Sequence, residues 1–187
     1  MIFNKEELLN ELVVLTSSHI EFVTQLSNEN KESLQYKLND KSWSAVECIE
    51  HLNLYAQFYN KEIAYRIETS NYPTSDVFKS GKFGNRFAMD MLPGEKMKKM
   101  NTFKSKNPVY SKLNAENVLS EFLRLQKELL GLLEKARAKN LTKTKTSITL
   151  PLLKFRLGDT FRFVIYHNER HIVQAKKCIK NVYKLVN

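Results

Sequence analysis

Apolar residues recur at three- and four-residue intervals along four long stretches of this 187-residue chain, a spacing that only helices can bury on one side. In the first stretch Leu8, Leu12, Leu15, His19, Phe22/Val23 and Leu26 mark one face of a helix running from about Asn4 to Asn28. The second opens at "SWSAVE", where Ser44 followed by Glu47 three residues on forms a capping box. It continues through Cys48, Leu52, Tyr55, Tyr59 and Ile63 to about Ser70. A third, "NAENVLSEFLRLQKELLGLLEKARAKN", begins at a plausible Asn114 cap and ends in a basic last turn that the helix dipole favours. The fourth opens at Gly158-Asp159 and runs to about Lys184.

The chain has only five glycines and four prolines, and they cluster between the periodic stretches, Gly131 excepted. The connection from Asn71 to Leu113, about forty residues, is long for a compact domain. Its Tyr72, Phe78, Phe83, Phe87, Met89, Met91 and Leu92 predict that it packs onto the rest of the chain. Between helices three and four, "LTKTKTSITLPLLKFRLG" reads as extended or irregular. The expectation is an all-α fold, a single domain over residues 1–187. Its four helices form a bundle with a long crossover between helices two and three, and with helices one and two, and three and four, antiparallel.

The content of 42% hydrophobic and 27% charged residues is that of a globular chain, with enough length to bury a core. No run of about 18 apolar residues is present to span a membrane, and the first residues lack the organisation of a secretion signal. Two cysteines, Cys48 and Cys178, in no C-x-x-C motif, fit a reducing compartment, so a cytoplasmic location is expected. The formal charge is +10. Residues 71–113 hold nine basic residues (Lys79, Lys82, Arg86, Lys96, Lys98, Lys99, Lys104, Lys106, Lys112) against Asp76, Asp90 and Glu95, a net +6. That segment keeps a nucleic-acid-binding reading open, although no helix-turn-helix, RNP or zinc-finger pattern accompanies it.

Two of the four histidines lie in "YHNERHIVQ", one helical turn apart. At about 100° per residue, His167 and His171 fall on the apolar stripe of helix four, toward one edge, and Gln174 continues that edge. His51 borders the stripe of helix two in the same way. An imidazole there loses water and needs a partner. Each histidine can find a carbonyl or carboxylate separately; alternatively the three converge in a groove. Three neutral imidazoles with an open position suit zinc, and nickel or another divalent ion equally. Protons compete for the same nitrogens, so binding is expected to weaken below about pH 6.5. "HNERH" is not H-E-x-x-H, which makes a metalloprotease a poor reading.

The stretches "KSWSAVECIEHL" and "LGDTFRFVIYHNERHIVQAKK" resemble, in order and across the whole chain, the paired motifs of the DinB/YfiT-like superfamily of metal-dependent enzymes. The resemblance implies an up-down-down-up bundle holding a divalent metal through His51, His167 and His171. It also implies the chemistry of relatives that are metal-dependent transferases and isomerases using low-molecular-weight thiols, while other members are known only as damage-inducible proteins. The expected function is a thiol-dependent transferase or a hydrolase, acting on a small, anionic substrate with a low-molecular-weight thiol as co-substrate, in a homodimer. A non-catalytic metal-binding stress-response protein stays open beside it.

The remaining polar residues have competing roles. Gln174 is expected to orient His171 or a ligand beside it, or else to make an interhelical hydrogen bond. Glu47 either completes the cap or stands behind His51. Trp43 reads as an apolar anchor at the start of helix two, His19 as a core or supporting residue, Glu169 and Arg170 as a solvated pair, and the cysteines as small core residues.

Overall fold

A computed structural model describes residues 1–94, 101–111 and 113–186, the side chains of residues 185–186 excepted. Four long helices dominate it: α1 (Lys5–Leu26), α3 (Ala45–Thr69), α5 (Ala115–Ala136) and α6 (Leu157–Val186). Two shorter ones, α2 (Lys31–Gln35) and α4 (Lys82–Met91), lie in the connections. The helix starts follow from local chemistry. Asn4 caps α1 by accepting from Glu7 N, Asn114 caps α5 by accepting from Asn117 N, and Ser44 and Glu47 form the reciprocal box on α3.

Each of α1 and α3 packs chiefly on α5 and α6, so α1 sits across the molecule from α3, and α5 from α6. Along α1 the buried position after Leu12 is Thr16, not Leu15, and its hydroxyl donates to Leu12 O at 2.8 Å. That internal bond lets a polar side chain occupy a seam position.

Two small antiparallel sheets depart from a purely helical expectation. Strand β1 (Ile2–Asn4) pairs with β2 (Val77–Lys79), Phe3 opposite Phe78, and β3 (Lys145–Ser147) pairs with β4 (Lys154–Arg156) as a hairpin. Three-residue strands carry almost no periodic signal, and each is fixed by its partner. The first ribbon pins the start of the long crossover: Phe78 is fully buried and stacks on Phe3 at 5.7 Å. The crossover then folds into α4, whose Ala88 and Met91 join the core, while Tyr72 and Phe83 stay exposed. Gly84 makes this docking possible, since a Cβ there would stand 2.6 Å from Asp159 Cβ. Of the charges counted in this segment, Glu95, Lys96, Lys98, Lys99 and Lys112 lie outside the described residues.

The apolar interior is divided in two. One cluster runs from Leu8, Leu9 and Leu12 through Tyr59, Ile63 and Leu129 to Phe163 and Tyr166. The other joins Val23, Leu26, Cys48, Leu52, Phe122, Ile172 and Ala175. Between them lies a belt of buried polar residues: Thr16 and His19 on α1, Asn53 on α3, Gln126 on α5, and His167, Asn168 and His171 on α6. Asn168 donates to Gln126 Oε1 at 2.9 Å, and Asn53 to Val118 O at 2.9 Å. No helix among the described residues is long and apolar enough to cross a membrane.

Candidate metal centre

His51 enters this belt from α3, and His167 and His171 from α6, one turn apart on a rigid helix. All three are buried, with 2%, 7% and 8% of their surface exposed. His167 Nε2 lies 3.2 Å from His51 Nε2 and 3.1 Å from His171 Nε2. Ligand atoms of the three fall within 4.8 Å of one another, and no other such group converges among the described residues.

Proton counting shows why this convergence is unusual. The Lys106 carbonyl sits 2.7 Å from His51 Nδ1, and a carbonyl only accepts, so Nδ1 carries the proton and Nε2 a lone pair. A single N–H on His167 Nε2 satisfies His51 or His171, never both. One of the two short contacts therefore opposes lone pairs or protons while all rings are neutral. Added protons are no remedy. Burial pushes the His51 pKa down to about 4, against the opposing pull of the Lys106 carbonyl. Burial, and then the mutual repulsion of the imidazoles with Arg170 nearby, holds His167 and His171 well below the usual histidine range. A cation shared by the three nitrogens resolves the conflict. A tetrahedral ion about 2.0–2.1 Å from each nitrogen would set them roughly 3.3–3.4 Å apart, close to the spacing present. These residues fit a divalent metal ion.

Aromatic rings surround the group. The Trp43 indole lies 4.7 Å from the His51 ring and 5.7 Å from His171, centroid to centroid. Tyr55 stands edge-on to His51 at 4.9 Å and to His167 at 4.8 Å, and Phe163 stacks on His167 at 5.9 Å. Tyr55 is one turn beyond His51 and Phe163 one turn before His167, so the i,i+4 rule could have found both. The Lys106 ammonium donates to Leu54 O and lies 5.7 Å from the Tyr55 ring centroid, so this crossover lysine turns inward onto α3.

The other candidate residues are placed as follows. Gln174 Oε1 and His171 Nδ1 are both buried without a hydrogen-bond partner, and Gln174 opposes the lowering of the His171 pKa. Glu47 lies outside the convergence: Oε2 accepts from Ser44 N at 2.8 Å and Oε1 pairs with Lys37 at 2.7 Å. His19 is fully buried and meets Glu169 Oε2 at 2.8 Å through Nε2, which corrects the expected pairing of Glu169 with Arg170. Arg170 is not solvated; it is 6% exposed. The sequence reading missed Lys106 as the partner of His51, because a backbone carbonyl leaves no mark on residue type. It also missed Gln126, although a glutamine one turn after Phe122 on an apolar stripe is a legible sign of buried polarity.

A mostly helical chain whose two principal helices bring three imidazoles together belongs to a class of proteins able to hold a metal ion in a helical interior. The family profile of the DinB superfamily matches residues 5–175, and the chain belongs to that superfamily. Comparison with curated proteins and with solved structures gave no match.

Proposed function

We propose that this chain is a divalent-metal-dependent enzyme of the low-molecular-weight-thiol transferase or hydrolase type. In this reading His51, His167 and His171 hold zinc or nickel within a single-domain, up-down-down-up four-helix bundle. The observation that carries it is the meeting of three buried Nε2 atoms that no arrangement of protons can satisfy together. When bound, such an ion supplies Lewis acidity, lowering the pKa of a thiol or water so that it is nucleophilic near neutral pH.

The chain's own groups do the rest. The Lys106 carbonyl keeps the proton of His51 on Nδ1 and so presents Nε2 to the centre. Gln174, one turn beyond His171 and with its Oε1 unpartnered, would fix that ring in the same sense by turning to accept from Nδ1. Trp43, Tyr55 and Phe163 exclude water from the imidazoles. The basic crossover favours an anionic co-substrate, and the charge of its Lys106 is felt at His51.

Protein purified without a histidine tag, stripped and titrated with Zn²⁺ or Ni²⁺, is expected to take up one ion per chain. At an ion concentration about 100 times Kd the fold should gain about 2.7 kcal/mol, and His167→Ala should lose both effects. Uptake and stabilisation unchanged in His167→Ala would overturn the reading. A cobalt-loaded sample titrated with a small thiol separates the two reaction types: a change in its visible spectrum favours the transferase, and none favours the hydrolase.

A further inference from the structure

The β3–β4 hairpin supplies no residue to the histidine centre. Its inner side holds it to the core: Thr146 and Phe155 are buried opposite each other, and the Phe155 ring lies 5.4 Å from Phe87 and 6.2 Å from Phe163. Side chains alternate along a strand, so Lys145, Lys154 and Arg156 share the outer side. Lys145 stands directly opposite Arg156, a pairing of like charges that weakens a two-stranded ribbon. Arg156 donates to Lys79 O, but among the described residues no carboxylate forms an ion pair with Lys145 or Lys154. Residues 143–156 hold four basic residues and no acidic one.

The loop joining the two strands turns apolar side chains to water. Leu152 is fully exposed, and Leu153 is 44% exposed. The φ of Leu152 is 65°, and among the described residues no other non-glycine residue has a positive φ. Glycine or asparagine adopts this left-handed backbone at lower cost. A leucine here is therefore strained and buries nothing inside the fold.

We infer that the hairpin tip docks on an anionic lipid surface. Leu152 and Leu153 enter the acyl boundary, while Lys145, Lys154 and Arg156 meet the negative headgroups. A lipid surface is a partner in which an apolar layer lies directly beneath negative charge. The hairpin has the matching order, because Lys154 follows Leu153 and the other two cations lie further from the tip. A nucleic-acid duplex matches the charge, but leucines enter one only by unstacking its bases, a cost that a lipid layer does not impose. With so few anchoring groups the attachment is peripheral and reversible.

The test is sedimentation of the full chain with vesicles of phosphatidylserine mixed with phosphatidylcholine, and of phosphatidylcholine alone, at low ionic strength. EDTA is present throughout, so the outcome is independent of metal binding. Expected is binding to the mixed vesicles and not to the neutral ones. Leu152→Asn combined with Leu153→Ser should weaken it about tenfold. Asparagine suits the left-handed backbone, so the unfolding midpoint of that variant should hold or rise. Lys145→Gln combined with Lys154→Gln should weaken vesicle binding roughly 30-fold while relieving the like-charge pair. No binding to the mixed vesicles, or binding that either double variant leaves unchanged, would overturn the proposal. So would a DNA duplex that binds the chain more tightly than the vesicles do and loses that affinity in the lysine variant.

Discussion

Helix α6 carries two buried polar clusters less than two turns apart, and they are built on opposite principles. At its start Asp159 and Arg162 face each other at 3.4 Å, 0% and 1% exposed as side chains. Asp159 also accepts from Gly81 N at 2.8 Å and from Ser80 Oγ, while Arg162 donates to Asn85 Oδ1 at 2.9 Å and lies 4.5 Å from the Phe3 ring centroid. Charge meets opposite charge there, and the crossover is fastened to the helix. One step along, His167 and His171 meet His51 with no carboxylate at all. Glu169, which lies between His167 and His171 in the chain, meets His19 instead. The first cluster pairs its charges, leaving Arg162 Nε without a partner, and serves the fold; the second has no opposite charge of its own, as the proposed ion site requires.

The largest test of this contrast removes one partner from the closed cluster. Arg162→Met keeps much of the side chain's bulk but leaves Asp159 buried without its cation, and should cost about 3–5 kcal/mol in urea unfolding. His167→Ala in metal-free protein should cost distinctly less, because it relieves a contact that was unsatisfied. Equal losses would erase the distinction between the clusters.

A second test uses protons. Metal-free protein should lose stability as pH falls from about 6.5, because the unfolded chain binds protons that the folded imidazoles refuse. With the His51 pKa down at about 4, this residue alone contributes about 3 kcal/mol, present above about pH 6.5 and gone by pH 4. Unfolding midpoints measured across that range, with metal removed, would check the slope; a flat profile would show that the imidazoles are not held neutral. The same depression corrects the expectation that ion binding weakens below about pH 6.5. The folded site stays neutral at pH 5.5, so ion-induced stabilisation should match that at pH 7.5 and fall only toward pH 4.

The smallest effect is expected at the helix cap. Ser44→Ala removes the hydroxyl that accepts from Glu47 N and should cost about 1 kcal/mol while leaving metal content unchanged. Lost metal with stability intact would place this box in the site.

The long helices were legible because burial on one side writes a three-four pattern, and caps such as Ser44 and Asn114 mark where it begins. The three histidines were legible because an imidazole on an apolar edge is costly without a purpose. What stayed hidden depends on distant partners. Strand β2 exists because β1 lies beside it, and α4 docks because Gly84 lets the backbone approach Asp159. The partner of His19 could not be read from "HNERH", where Glu169 and Arg170 look like an ordinary local pair.

The histidine centre is also a statement about timing. His51 and His167 are separated by 116 positions, and the Lys106 carbonyl comes from between them. During synthesis, at about 5–20 residues per second, α3 waits several seconds before α6 exists to face it. No local hairpin or loop can assemble these three groups early, and contacts of such long range close late in folding. An ion held there would therefore find no local part of the chain that offers all three nitrogens, and its site would be complete only once α3 and α6 have met.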